Sequence, residues 1–320
     1  MPSPTLPMQS TPTMQRNRTM QSTLTTPRGA GRVIRVALTM LLVAWFALPF
    51  LPLVLWASAD AWSFPSPLPT AWGVQGLEEA LGFGLVPGFA RSVLLGSVVA
   101  AVATPLGALA ARALTFGTVP FPRTVSALLL APIALPPFAA VLGVNVLLLR
   151  AYVPPIVGVV LVLVVLALPY TTFVMRAAYG AYDLSYEEEA RLLGATPSRV
   201  LRRVHLPMIA PALARAAFLA FLVAWSDYIV TVIVGGGELV TLPLIVAGAA
   251  AGLGNDAAVA VMSLGAVIPP VLLLVAVLTL RGSGRAAGGR RRRPSAPPNT
   301  TSAASSLSLI HISEPTRPER

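Results

Sequence analysis

Residues 185–207 read SYEEEARLLGATPSRVLRRVHLP, a polar island between two strongly apolar segments. Ser185 followed three residues later by Glu188 has the form of a capping box, in which a hydroxyl and a carboxylate satisfy backbone N–H groups that the first helical turn leaves unpaired. Glu187, Glu188 and Glu189 then lie in a first turn, where the positive end of the helix dipole favours carboxylates. Gly194 stands where a left-handed stop is needed. Thr196 offers a second N-cap, Pro197 suits the first helical position, and Arg202 and Arg203 fall in a last turn where cations suit the dipole. Leu206-Pro207 and Pro211 break the pattern before the next apolar run. The stretch predicts a compact helix–turn–helix knob held at a membrane surface.

Composition says which membrane-protein classes remain. With 55% hydrophobic residues, 11% charged residues and a mean hydropathy of +0.76, the 320-residue chain is too apolar and too charge-poor for an ordinary soluble domain. All 23 basic residues are Arg, so a GxxxxGK[ST] phosphate loop, which needs Lys, is excluded and any ATP hydrolysis belongs to another subunit. Cys is absent, which excludes disulfides, thiolate metal sites and a cysteine nucleophile. The two histidines, His205 and His311, sit in no ligand-like cluster, so no metal site and no cofactor of its own are expected. Neither paired acids, nor HExxH, nor GxSxG occurs inside the apolar segments, and the chain is read as non-catalytic.

A helix needs about 20 apolar residues to cross the hydrocarbon core. Six segments qualify, at roughly 34–56, 92–111, 124–149, 156–175, 212–234 and 258–280, so the fold class expected is an all-α membrane protein of six transmembrane helices. With a cytoplasmic N-terminus, only Arg91 and Arg150 are left outside, while the remaining loop and tail arginines, those of the knob and Arg290 to Arg293 included, fall inside. The positive-inside rule therefore puts both ends and the knob of this multi-pass membrane protein in the cytoplasm. Residues 239–253 are apolar, but short and interrupted by Pro243, Gly248 and Gly252; they read as an external or re-entrant element, since a seventh span would send the arginine cluster outside. Pro132, Pro136 and Pro137 interrupt the third span, as a helix beside a pathway tolerates. Gly96, Ser97, Ala100, Ala101 and Gly107 give the second span a face for close helix contact.

Asp227, flanked by Trp225 and Tyr228, is the notable ionisable residue, placed toward the external end of the fifth span. Two readings stand: a carboxylate lining a pathway, or an interfacial carboxylate with Trp225 and Tyr228 as belt residues and Arg91 or Arg150 as counter-ion. Glu238, Asn255 and Asp256 in the external loop read as solvated, and as weaker candidates for meeting a docked protein.

The knob resembles the signature of permease subunits of ATP-driven, binding-protein-dependent importers: Glu-Ala-Ala, three residues, Gly, nine residues, then Ile-x-Leu-Pro. Here Glu188-Glu189-Ala190, Gly194 and Val204-His205-Leu206-Pro207 stand at that spacing, with Glu189 replacing the first Ala and Val204 the Ile. The resemblance covers roughly residues 34–281. Arg91-Ser92, the Pro-rich third span and WSDYIVTVIVGGGELVTLPLIV, residues 225–246, look like the branch that handles polyamines, ferric iron or thiamine. What it implies is the type I importer bundle, five core helices with a peripheral first one, in a six-helix permease domain over 33–281. The knob, 185–207, would be the coupling helix that docks on a cytoplasmic ATPase dimer, with Glu188, Glu189, Ala190, Gly194, Leu206 and Pro207 at the contact. A second permease, copy or relative, an extracytoplasmic solute-binding protein and membrane lipid are the partners implied; ATP would be bound by the ATPase subunit. The competing class, an ion-gradient-driven carrier or channel, generally places coupling acids near the midplane and often shows internal repeats. These spans hold essentially one acid, Asp227, and no clear repeat.

The ends are of another kind. Residues 1–32, rich in Ser, Thr, Pro, Gln and Met without an acid, read as a disordered cytoplasmic tail or an over-extended gene start, with Met14 and Met20 as alternative starts. Residues 282–306 read as a disordered Arg-, Pro- and Ser-rich cytoplasmic tail, whose arginines anchor topology on anionic lipid rather than bind nucleic acid. LSLIHISEPTR, residues 307–317, looks like a translated sequencing-library adaptor, so 307–320 is expected to be an artefact.

Overall fold

A computed structural model describes residues 28–288 apart from 64 and 118. Residues 1–27 and 289–306 of the expected tails, and the adaptor-like 307–320, lie outside the described residues. The first helix, α1, runs Arg28–Ala47 and bends by 47° into α2, Phe50–Ala57, across Leu48-Pro49. Helix therefore starts inside the segment read as tail, because extending a helix adds one hydrogen bond per residue without a new nucleation cost. The same holds at the other end, where the last helix continues to Gly288, past the boundary read at 281.

Between the first and second spans lie a small antiparallel ribbon, β1 Ala59–Ala61 with β2 Ala71–Trp72, and helix α3, Gln75–Gly82. Periodicity gives no hint of so short a ribbon. Helix α4, Leu85–Thr115, opens at Gly84 in the left-handed region, seven residues before the apolar run begins at 92. Helices α5, Pro122–Ala134, and α6, Pro137–Arg150, meet at 105°. Pro132 stays inside α5; Pro136 and Pro137 make the break, since each proline forces the residue before it into extended backbone, as at Leu135 with ψ 142°.

Helix α7, Pro155–Gly180, leads into the knob, α8 Ser185–Leu192 and α9 Pro197–Val200. A π turn at Leu201–His205 joins α9 to α10, Leu206–Trp225. Short α11, Ile229–Ile233, and α12, Leu242–Ala250, precede α13, Asp256–Gly288. Among the described residues four helices are long and apolar enough to cross a membrane, and the two bent pairs complete six passages if each counts as one span. The fifth span ends at Trp225 rather than at 234, and α12, nine residues long, is far too short for a seventh. It is fastened to the bundle: the buried Ser92 hydroxyl accepts the Leu242 N–H at 2.8 Å.

The centre of the molecule is the contact of α4, α7 and α10. Leu95, Val99, Ala103, Leu163, Ala167, Ala220 and Ala224 share one buried cluster, and Ala108, Ala111, Met175, Ile209, Ala212 and Ala216 form another toward the knob. Small residues set the helix spacing. A Cβ on Gly96 would lie 2.7 Å from the Phe221 ring, and one on Gly107 would collide with the Thr171 side chain. In lipid no hydrophobic drive joins helices, so this close approach supplies the dispersion contacts that hold them together. Ser97 instead faces outward, its hydroxyl donating to Val93 O, and Ala101 is exposed.

Candidate functional site

The knob's first helix begins differently from its sequence reading. The Ser185 hydroxyl makes no capping bond; the Ser185 N–H donates to Asp183 Oδ1 at 3.0 Å, and Leu184 O accepts from the N–H groups of Glu187 and Glu188. The helix starts one residue earlier than the box requires, so Ser185 is its first helical residue rather than its cap, and Asp183, two residues upstream, anchors its N–H. That bond holds the exposed Asp183 carboxyl below its ordinary range.

The helix ends at Gly194, at φ +82°. Gly194 N–H donates to Arg191 O at 2.9 Å and Ala195 N–H to Ala190 O at 3.0 Å, the paired bonds of a Schellman motif. Thr196 is extended and its carbonyl accepts from Arg199 and Val200, but its hydroxyl makes no capping bond. Leu206-Pro207 does not break the chain. Leu206 N–H reaches Leu201 O across the widened π turn, which makes room for the Pro207 ring where a regular turn would clash. The knob's second helix and the fifth span are therefore continuous from Pro197 to Trp225.

Its outward surface is exposed and mixed. Glu188 and Glu189 are exposed and Ala190 is half-buried, while Leu192 and Leu193 stand 87% and 88% exposed beside the Gly194 turn. Two leucines that bare, on a surface otherwise carrying Glu188, Arg199, Arg202 and Arg203, have nothing covering them among the described residues. Leu206 and Pro207 are exposed where the knob rejoins the span.

Glu187 points the other way. It is 4% exposed and lies at the centre of a polar cluster contributed by several elements. Arg112, from the last turn of α4, donates Nη2 to Oε2 at 3.0 Å and Nη1 to Oε1 at 3.3 Å. Tyr182 donates to Oε1 at 2.9 Å, and Arg191, one turn on, lies 3.7 Å from Oε2. His205 Nδ1, in the π turn, is 2.9 Å from Oε1, so it carries the proton; Nε2 then accepts from the Tyr179 hydroxyl of α7 at 3.1 Å. Arg112 Nη1 lies 2.9 Å from Nδ1 and 3.2 Å from Nε2; with the proton on Nδ1, only Nε2 can accept its N–H. Burial pushes the Glu187 carboxyl up, but the Arg112 and Tyr182 hydrogen bonds, the Arg112 charge and the His205 bond outweigh it and hold it at about 2. Burial, reinforced by the bond to Glu187, pushes the Tyr182 phenol up.

Sequence reading missed this cluster. It took Glu187 as one of three equivalent acids, Arg112 as a topology marker and His205 as a lone histidine. The available signal was that Arg112 and His205 both end up beside apolar helix ends, where an unpaired charge is costly. Among the described residues no group of three His, Cys, Asp or Glu side chains is placed to hold a metal ion.

Asp227 sits in the break after the fifth span and caps α11. Oδ1 accepts from Val230 N–H at 3.2 Å, and Oδ2 from Thr231 N–H and hydroxyl at 2.9 and 2.8 Å. Neither arginine named above as counter-ion pairs with it: Arg91 donates to Val240 O at 3.2 Å, and among the described residues no ion pair involves Asp227. Asp227 also lines a cavity of about 570 Å³ with Pro132, Pro137, Tyr170, Ser226 and Tyr228, beside the break of the third span. Trp225 turns away from it into the core, stacked on Phe221 with its ring N–H on Ala266 O at 3.0 Å.

Comparison with known proteins follows the same outline. The profile of a family described as "Binding-protein-dependent transport system inner membrane component" matches residues 22–282. The putrescine transport system permease protein PotI of Escherichia coli K12 is 30% identical over 165 residues, 48% of this chain and 58% of PotI. The trehalose transport system permease protein SugB of Mycobacterium tuberculosis is 36% identical over 70 residues, 22% of this chain and 26% of SugB. This chain thus spans between about a quarter and three fifths of these relatives. A solved bacterial ABC transporter "involved in the import of the acidic polysaccharide alginate" has a chain that superposes with a TM-score of 0.62 at 15% identity, covering 78% of this chain and 96% of that one.

Proposed function

Since this chain belongs to the family of binding-protein-dependent transport system inner membrane components, we propose that it is the permease subunit of an ATP-driven importer in the bacterial inner membrane, taking up a small organic cation. Its all-α bundle has the fold of an ABC importer's membrane subunit, of type I. The observation that carries the reading is the knob: two bare leucines at a Gly194 turn, on a helix continuous with the fifth span. On this reading the knob faces the cytoplasm and seats in an ATPase subunit, which binds and hydrolyses the ATP. A second permease completes the pathway, and an extracytoplasmic binding protein delivers the solute. Closure of an ATPase dimer would draw two knobs together and swing the helices attached to them.

Two features favour a cation over a sugar. PotI and the Haemophilus influenzae spermidine/putrescine permease PotC match 48% and 50% of this chain, against 22% for SugB. Asp227 gives the cavity at the span break an acid with no ion-pair partner among the described residues, a setting that draws a cation. Captured from its own membranes, the full chain is expected to bring a P-loop ATPase with it, and vesicles holding the complex and its binding protein to accumulate putrescine only with ATP. Leu192→Asp should abolish both. Ser198→Cys, in a chain without other cysteines, should be labelled by a membrane-impermeant thiol reagent only after the cells are opened; labelling of intact cells would sink the reading.

A further inference from the structure

The motif residues Glu188 and Glu189 face outward, whereas the buried acid beside them is Glu187, and its partners are what distinguish it. Apart from this cluster, α8 is joined to the chain by residues 181–184 before it and the Gly194 turn after it, and packs chiefly on α9 and the π turn among the described residues. A force on Leu192 and Leu193 could then rock α8 without moving a span. The cluster removes that freedom. Through Arg112 it ties α8 to α4, through His205 and Tyr179 to α7, and through His205 in the π turn to α10. These three helices are the ones that form the bundle's centre. The Arg112–Glu187 tie is charge-assisted, bidentate and screened from water on the Glu187 side, so it is stiffer and stronger than a surface ion pair. Arg112 lies 75 residues from Glu187 in the chain and His205 18, so these bonds exist only when α8 is seated.

We propose that Glu187 is a positioning residue: the joint that makes the knob a rigid extension of α4, α7 and α10, so that a push on its outer face moves the three together. It rests on the reading of the knob as the ATPase contact, but its mechanical content can be tested without that reading. In the full-length chain, spin labels at Tyr186→Cys on α8 and Leu109→Cys on α4, both exposed, report the distance from the knob's first helix to the span. The parent is expected to give one narrow distance distribution, unchanged when captured ATPase and a non-hydrolysable ATP analogue are present. Glu187→Gln, which keeps the shape and removes the charge, should broaden it, and with the analogue bound the knob should shift relative to α4. ATPase capture should persist, while solute moved per ATP hydrolysed falls by roughly tenfold, within the usual span of a coupling interaction.

A narrow distribution in Glu187→Gln that stays fixed with the analogue would overturn the joint. So would a broad one in the parent. Tyr182→Phe, which removes one hydrogen bond, serves if Glu187→Gln fails to insert, with a smaller broadening expected and none refuting. If the parent captures no ATPase, the functional reading fails, and the nucleotide-free comparison of parent and variant still decides the joint.

Discussion

Replacing Gly194 separates backbone strain from surface contact. A Cβ at this position would meet nothing within 4 Å among the described residues, so alanine clashes with none of them. The cost is conformational: at φ +82° an ordinary L-residue loses about 1–2 kcal/mol relative to glycine, and asparagine less. That strain falls on the two bonds that close the turn, Gly194 N–H to Arg191 O and Ala195 N–H to Ala190 O. At 1.4 kcal/mol per factor of ten, Gly194→Ala should lower hydrogen-exchange protection of these two amides by roughly 5- to 30-fold, and Gly194→Asn by only a few-fold. Gly194→Trp should match Ala in exchange, because the turn is exposed and the strain at φ +82° is the same for both. In the ATPase complex the order changes: Ala retains most coupled hydrolysis, whereas Trp, standing beside Leu192 and Leu193, abolishes it while insertion stays intact. If Trp lowers protection far beyond Ala, the turn is not open as described; if Trp keeps full coupled activity, this surface is not the contact.

Three further outcomes can be checked separately. Gly107→Ala should cost more than Gly194→Ala, since its Cβ collides with Thr171 and comes within 3.0 Å of the Thr172 backbone N, forcing α4 from α7; thermal melting in detergent should fall, and an unchanged melting point would refute the close contact. On the proposed uptake of an organic cation, Asp227→Asn should keep much of the α11 cap but remove the charge, cutting uptake of putrescine as the probe by about tenfold, while Asp227→Ala also loses about 1 kcal/mol of capping; full uptake by the Asn variant would assign Asp227 to structure alone. Glu187 titrates at about 2 in the folded chain against an ordinary 4.5, so its ionised form stabilises the fold above pH 4.5 and that contribution fades as the pH falls toward 2. The shift corresponds to about 3 kcal/mol, and the melting difference between parent and Glu187→Gln should be flat from pH 5 to 8 and close below about 4.5; a difference still intact near pH 2 would contradict it.

What could be read from the chain alone was whatever a few neighbouring residues decide. Gly194 marked its turn because only a residue without Cβ adopts φ +82° cheaply, and Pro136-Pro137 marked the break of the third span because proline constrains the residue before it. Elsewhere local signals failed. Ser185 reads as the cap, but the helix starts one residue earlier and the Asp183 carboxylate, outside the stretch 185–207, holds the Ser185 N–H. Pro207 signalled a stop, but the π turn absorbed it. Asp227 had the form of a helix cap in WSDYIVT, yet the apolar run on both sides read as one uninterrupted span.

The three consecutive acids show the limit most clearly. Successive helix residues point about 100° apart, so Glu187, Glu188 and Glu189 cannot share one environment. Local chemistry treats them alike; the difference comes from Arg112, 75 residues away in sequence, and from His205. Once Arg112 is fixed at the end of α4, the acid facing it becomes buried and structural, and its neighbours are turned outward for a partner. The Gly194 turn fits the same division, since Leu192 and Leu193 stay bare only while α8 is held by its opposite face. A knob lacking the inward acid would expose the same leucines on a helix free to rock. The outward residues can then be the grip only insofar as Glu187 holds the handle still.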